Sequence, residues 1–294
     1  MLASIDQTIS LIAPAKINLA LHVTGRRNDG YHLLDSLVVF AGFGDRISVS
    51  AADIDSFHMS GPYGHALRAD GSNLVLKARD SLRVDFPEQA FPVAITLEKH
   101  LPIASGIGGG SSDAAATLRA LIDLWDIEIP SPNLTRLGLA LGADLPMCLL
   151  GKPLIARGIG EELEQIAKFP HLPIVLANNG AAVSTPQVFG ALRKRNNPAL
   201  PALPELHAIS DVCTYLDGTH NHLFPATMEL MPTLNDTMTA LHSTKPLLVR
   251  MSGSGATCFA IYDSDEAATA AASKLRATHP TWFIADTYCG EEGY

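Results

Sequence analysis

An α+β fold divided between two domains is what the amino-acid sequence predicts, and three observations lead there. At 294 residues, the chain is long for one core and ordinary for two. From Leu247 to Asp286 it reads strand, loop, strand, helix, strand, the order of an α+β layer. Beyond about Phe169 the texture changes, with Pro170, Pro173, Pro186, Pro198, Pro201, Pro204, Pro225 and Pro232 separating short helical patterns. A boundary there gives domains 1–168 and 169–294.

Apolar, β-branched Ile17–Val23 and Leu33–Phe40 predict two adjacent strands, with Arg46–Ser50 a further one. The loop between the first two, Thr24–His32, puts Gly, Asn and Asp at turn positions and presents two cations, an aromatic ring and an imidazole. A helix over Asn73–Val84, opened by Ser72 or Asn73, precedes a strand at Val93–Glu98. Glycine-rich Pro102–Asp113 then runs into Ala114–Leu121, an alanine-rich stretch of high helix propensity with Ser and Asp at its start. Asn133–Leu141 reads as a helix, Gly142–Pro146 as a turn, and Met147–Leu150 as an apolar strand. Strands at Leu154–Arg157 and Ile174–Ala177 follow, then helical patterns at Gln187–Lys194 and Thr233–His242. The final layer comprises strand Leu247–Met251, loop Ser252–Gly255, strand Ala256–Tyr262, helix Asp265–Ala277 and strand Trp282–Asp286.

Composition narrows the function classes. With 47% hydrophobic and 17% charged residues, and a mean hydropathy of +0.17, the chain is no disordered polymer. A formal net charge of −9 repels a polyphosphate backbone, so nucleic acid is not an expected partner. Apolar runs such as Leu37–Ala41 and Leu247–Val249 fall far short of the roughly 20 residues a spanning helix needs. Met1–Thr8 shows no basic segment followed by an apolar stretch. Cys148, Cys213, Cys258 and Cys289 make no CxxC pair, so reduced thiols and a cytoplasmic location are expected.

Glycines ahead of a helix let backbone approach a ligand closely and aim free N–H groups at an anion, for which phosphate is the natural occupant. Gly106, Gly108, Gly109 and Gly110 fit that description, with Ser111 and Ser112 beside them. No Lys-Ser/Thr follows, so this is no Walker loop, and Ser111 stands where a dinucleotide fingerprint needs a third glycine. Lys16, inside an apolar strand pattern, must reach solvent or find a partner. Asp144 reads equally as a helix cap, a turn residue or a buried acid. His220 and His222 flank Asn221 without a third metal ligand and read as surface residues, while Asp263, Asp265 and Glu266 suit a solvated helix start.

Three separated segments together resemble the three signatures of the GHMP kinases: Pro14–Leu19, Pro102–Ala116 and Ser252–Thr257. The resemblance implies a ribosomal-protein-S5-like ATP-binding domain over 1–168 and a ferredoxin-like, substrate-side domain with added helices over 169–294. Arg27–His32 and Gly142–Pro146 resemble those members that act on a cytidine diphosphate sugar alcohol. The implied reaction is ATP-dependent phosphorylation of that alcohol's 2-hydroxyl in non-mevalonate isoprenoid precursor synthesis, with ATP and Mg2+ as cofactors.

The resemblance also implies roles. Lys16 and Asp144 would be catalytic. Pro102, Gly106, Gly108, Gly109, Gly110, Ser111 and Ser112 would hold ATP, the serines near phosphate or Mg2+, with Gly253–Gly255 bracing that loop. Asn18, Tyr31, His32 and Phe189 would bind the substrate. Arg26 and Arg27 suit either its diphosphate or plain solvent. A homoserine- or mevalonate-type kinase is the alternative within the family, against which Gly30-Tyr31-His32 argues. A regulator without turnover is the alternative outside it, against which the presence of both Lys16 and Asp144 argues. One departure stands out: His222 and Phe224 occupy positions where the family often has acidic residues, and no site role is assigned to Asn221–Phe224.

Overall fold

The computed structural model describes residues 7–290; the first six residues of the Met1–Thr8 stretch lie outside the described residues. Strands β1 (Thr8–Arg26) and β2 (His32–Ala51) open the chain, followed by β3 (Ser56–Ser60), α1 (Leu74–Asp85) and β4 (Val93–Glu98). Next come α2 (Gly109–Leu124), α3 (Ser131–Leu141), α4 (Leu145–Leu150), β5 (Leu154–Gly158), β6 (Glu162–Gln165) and β7 (Leu172–Asn178). Helices α5 (Thr185–Ala191), α6 (Ile209–Asp217), α7 (Phe224–Leu230) and α8 (Leu234–His242) lead to β8 (Leu248–Met251), β9 (Cys258–Ile261), α9 (Asp265–Thr278) and β10 (Phe283–Cys289).

The chain forms two compact units that no single cut separates. One comprises the described residues up to Ala15 with Gly44–Ile103 and Gly108–Leu150; the other comprises Lys16–Phe43, Ala104–Ile107 and the described residues from Gly151 onward. This partition differs from a division at residue 169. Its cause is pairing: the first half of β2 runs antiparallel to β5 and then meets β10 at Ala41 opposite Cys289, while Leu21 of β1 bonds with His220 and His222, which ties the early strands to chain beyond residue 169.

In the first unit, Arg46–Ala51 of β2 pairs antiparallel with β4, which pairs in parallel with β3. Asn73 caps α1 by accepting from Val75 N–H, the role its residue type suggests. Helix α2 is buried nearly all round, including Ala114–Leu118, Ala120, Leu121 and Leu124, so its alanines permit close packing as well as favouring helix. It starts earlier than Ser and Asp caps would place it: Gly108 is the N-cap and the following glycines are already helical. Met147–Leu150 is helix rather than strand, because Pro146 in the first turn presets φ and Asp144 C=O accepts from Cys148 N–H at 3.2 Å.

A buried ion cluster joins these pieces. Lys99 Nζ donates to Asp113 at 2.7 Å and to Asp45, all three side chains being almost wholly buried. Asp45 also accepts the N–H groups of His100 and Leu101, at 2.6 and 2.8 Å. Burial works against the Lys99 ammonium, but Asp113 and Asp45 outweigh it and hold its pKa above the usual value. Burial raises Asp113 to about 8, Lys99 pulling it down and Asp45 pushing it further up.

In the second unit, β10, β7, β9 and β8 form an antiparallel sheet in that order, with α9 packed on β7 and β10 and α8 on β8 and β9. Leu33–Phe40 and Arg46–Ser50 prove to be one continuous strand, β2. Helices α6 and α7 and strands β3 and β6 emerge from segments without a clear period. All four cysteines are free thiols, Cys148, Cys258 and Cys289 being buried. Among the described residues no helix is long and apolar enough to cross a membrane.

His222 is not the surface residue its loop setting suggests. It is partly buried, stacks on His22 with ring centroids 4.3 Å apart, and accepts Val23 N–H at Nδ1. His22 accepts His220 N–H at Nε2, so its other nitrogen carries the proton facing Pro198 C=O at 2.9 Å. Burial, then the neighbours His22, His220 and Lys194, lower the His222 pKa to about 4.

Two outcomes follow. Lys99→Met, which leaves Asp45 and Asp113 buried without their cation, should lower stability by about 3–5 kcal/mol in a denaturant titration; a change below ~1 kcal/mol contradicts the cluster's role. Because unfolded His222 binds a proton near pH 6.5 and the folded residue only near 4, its contribution is whole above that upper value and is lost as pH falls through the window. The thermal midpoint should therefore drop more steeply between those pH values in the wild type than in His222→Asn, and equal slopes would refute this.

Candidate active site

Strand β1 is buried without a break from Ala13 to Val23, so its polar residues Lys16, Asn18 and His22 lie in the interior instead of on a wet face. Lys16 is only 5% exposed, and its N–H donates to Ile107 C=O at 2.9 Å, fixing the strand to the stem of the second glycine segment. Asn18 N–H donates to Ser252 Oγ at 3.1 Å, and Asn18 Nδ2 to Ser36 Oγ at 2.8 Å, which in turn donates to Ala20 C=O. Asn18 Oδ1 is buried and accepts no protein hydrogen bond, so the amide retains one unused acceptor.

The second and third glycine segments touch through their backbones. Ser252 Oγ donates to Gly106 C=O at 3.1 Å, and Thr257 N–H to Ser105 C=O at 3.0 Å. Gly106 has φ +78° and Gly253 φ +54°. A Cβ on Gly106 would lie 2.6 Å from Ser252 C=O, and one on Gly253 would lie 2.6 Å from Gly106 C=O and 3.3 Å from Asn18 Oδ1. Only glycine permits both the dihedral and the approach.

Downstream of that stem, in the first unit, Gly109, Gly110 and Ser111 form the first turn of α2, where helical N–H groups have no intrahelical acceptor and the dipole favours an anion. Ser112 has a narrower role than expected: its N–H donates to Gly108 C=O and its hydroxyl to Pro14 C=O at 2.6 Å, so both hydrogens brace the turn. Pro102 is buried ahead of the loop. Lys99 Nζ would meet a Gly109 Cβ at 3.0 Å, which places the buried ion cluster directly beneath this turn. Asp144 is partly buried at the start of α4 in the same unit, whereas Lys16 belongs to the other.

His32 stacks on Phe189 with centroids 4.9 Å apart and planes 24° from parallel. Its Nε2 is buried without a protein partner, and burial, then Arg26 and Arg195, lower its pKa, so the ring is neutral at pH 7 with one donor and one acceptor nitrogen. Tyr31 is 57% exposed. The loop arginines are engaged locally, Arg26 Nε with Gly30 C=O at 3.1 Å and Arg27 with Asp29 at 2.7 Å. Ser36, Ser252, Asn221 and Lys99 were not singled out by type or spacing; burial of polar groups in apolar surroundings is the property that marks them.

Comparison with known proteins gives the family. The family description "GHMP kinases N terminal domain" matches residues 73–152, and "GHMP kinases C terminal" matches residues 198–281. The 4-diphosphocytidyl-2-C-methyl-D-erythritol kinase of Brucella abortus biovar 1 (strain 9-941) is 53% identical over 285 residues, 96% of this chain and 95% of that protein. A crystal structure of 4-(cytidine 5'-diphospho)-2C-methyl-D-erythritol kinase superposes with a TM-score of 0.80 at 35% identity, covering 97% of this chain and 100% of that one. A homoserine kinase from Cytophaga hutchinsonii ATCC 33406 superposes with a TM-score of 0.70, covering 100% and 98% of the two chains, but at 17% identity it speaks to the fold alone. With its two-domain α+β architecture and its glycine segments so disposed, the chain belongs to the GHMP kinases, a family of small-molecule kinases.

Proposed function

We propose that this chain transfers the γ-phosphoryl group of ATP to the 2-hydroxyl of 4-diphosphocytidyl-2-C-methyl-D-erythritol, a step of non-mevalonate isoprenoid precursor synthesis. The observation that carries the reading is 53% identity, along nearly the whole of both chains, to a relative named for that activity. The His32–Phe189 stack supports it locally, since a flat ring and a neutral imidazole edge suit cytosine better than further charge would. Nothing comparable supports the homoserine alternative.

In this reading the exposed N–H groups of Gly109, Gly110 and Ser111 hold the phosphates, and the stem at Gly106 and Ile107 sets the loop's position against β1. Asn18 Oδ1 accepts from the substrate alcohol. Asp144, an acceptor when ionised, takes the hydroxyl proton as oxygen attacks the γ-phosphorus, the bond to the β-phosphate oxygen breaks and ADP departs. Lys16 stabilises charge on the transferred group. The hydroxyl oxygen of Ser111 would be the hard donor that shares Mg2+ with ATP, with Ser112, whose hydroxyl donates to Pro14 C=O, bracing the turn beside it. Bound there, Mg2+ would neutralise phosphate charge. A cytoplasmic location completes the reading, in keeping with the free thiols.

Purified protein given Mg-ATP should release ADP with the cytidine substrate and not with homoserine or mevalonate; the reverse pattern would overturn the substrate. Asp144→Asn should still bind nucleotide while turnover falls by roughly 10²–10⁴, and near-normal turnover would remove Asp144 from the role of base.

A further inference from the structure

Asn221 sits 9% exposed in a loop to which the sequence assigns no role. Its two amide hydrogens go to Met251 C=O at 2.9 Å and Gly253 C=O at 2.8 Å, and its Oδ1 accepts Leu223 N–H at 2.9 Å. On the other side the same segment is sewn to β1: Leu21 N–H donates to His220 C=O and His222 N–H to Leu21 C=O, at 2.9 and 2.8 Å. The stacked His22 and His222 close this seam from the same strand. Asn221 therefore links the strand that carries Lys16 and Asn18 to the Ser252–Gly255 loop.

The chemistry of that link is selective. Two carbonyls, of residues two apart, face one side chain, and a primary amide supplies two donors to them while keeping an acceptor for a third group. A carboxylate of the same shape offers no donor, and an alkyl side chain would leave two buried carbonyls unsatisfied. Gly253, so held, is the residue whose α-carbon rests against Gly106 C=O and Asn18 Oδ1.

We propose that Asn221 is a positioning residue for phosphoryl transfer, setting the register of the third glycine loop and through it the Gly106 stem and the Asn18 acceptor. It touches neither ATP nor the alcohol. The inference rests on the reading of Gly106 as part of the ATP loop and Asn18 as a substrate residue. Cytosine contacts at His32 and Phe189 lie outside the chain of contacts it controls.

The experiment compares wild type with Asn221→Ser, which keeps one donor, Asn221→Ala, which keeps none, and Asn221→Asp, which opposes oxygen to oxygen. Measurements are thermal midpoint, ATP affinity by direct titration without a second substrate, and kcat and both KM values per folded molecule. Expected is a graded fall in kcat and ATP affinity, reaching about tenfold to a hundredfold in Asn221→Asp, with KM for the cytidine substrate within about twofold of wild type. Wild-type kcat and ATP affinity per folded molecule in every variant, with only the thermal midpoint lowered, would overturn the proposal. Should Asn221→Asp fail to fold, Asn221→Ser reads the same quantities. Should wild-type protein bind ATP yet leave the cytidine substrate untouched, the functional reading fails alone, and the ATP titration still decides the role of Asn221.

Discussion

The constraint on which the rest depends is a backbone contact between two glycine segments, Gly106 against Ser252 and Gly253. Neither segment has side-chain bulk there, and each adopts a left-handed dihedral, so the contact is made of carbonyl, Cα and one serine hydroxyl. Because Ser252 Oγ also receives Asn18 N–H, and Ile107 C=O receives Lys16 N–H, the same junction fixes strand β1. The stem of the second glycine segment and the polar residues of the strand are thus tied together. Preorganisation of this kind is what phosphoryl transfer asks of a protein, since the chemistry needs positioning and charge stabilisation more than covalent help.

A second feature is the cost accepted to bring polar side chains inside. Strand β1 buries a lysine, an asparagine and a histidine, with Asn18 tied to Ser36 and His22 to Pro198 C=O at short range. Lys99 with Asp45 and Asp113 does the same below the first turn of α2. Buried charge is tolerated where an opposite charge and hydrogen bonds sit beside it, and such clusters give rigidity to the segments they join more than net stability.

Much of this was legible in the sequence. The glycine run before an alanine-rich stretch announces a tight turn into a helix N-terminus, and three signature segments in order point to one family. What sequence reading missed follows from tertiary context. Met147–Leu150 looks like a strand because four apolar residues have no resolvable period, and Pro146 decides for helix. Lys16 alone reads as solvated because strand periodicity does not reveal that both faces of β1 are covered. His222 seemed superficial because its ring partner, His22, is two hundred positions distant. The contact of Gly106 with Gly253 has no sign in composition or spacing; only the family resemblance, in which Gly253–Gly255 brace the loop, announces it. A boundary at residue 169, read from composition, does not register that β2 meets β10 at Ala41 and Cys289 or that Leu21 bonds with His220 and His222, long-range events that composition does not encode.

The most direct test of the account is the ATP affinity of Gly253→Ala, measured by titration beside its binding of the cytidine substrate. A methyl group there collides with Gly106 C=O and strains the backbone, so the account requires ATP binding to weaken by about tenfold or more while cytidine binding at His32 and Phe189 persists. Unaltered ATP affinity in a stably folded Gly253→Ala protein would contradict the claim that contact between the two glycine segments builds the site.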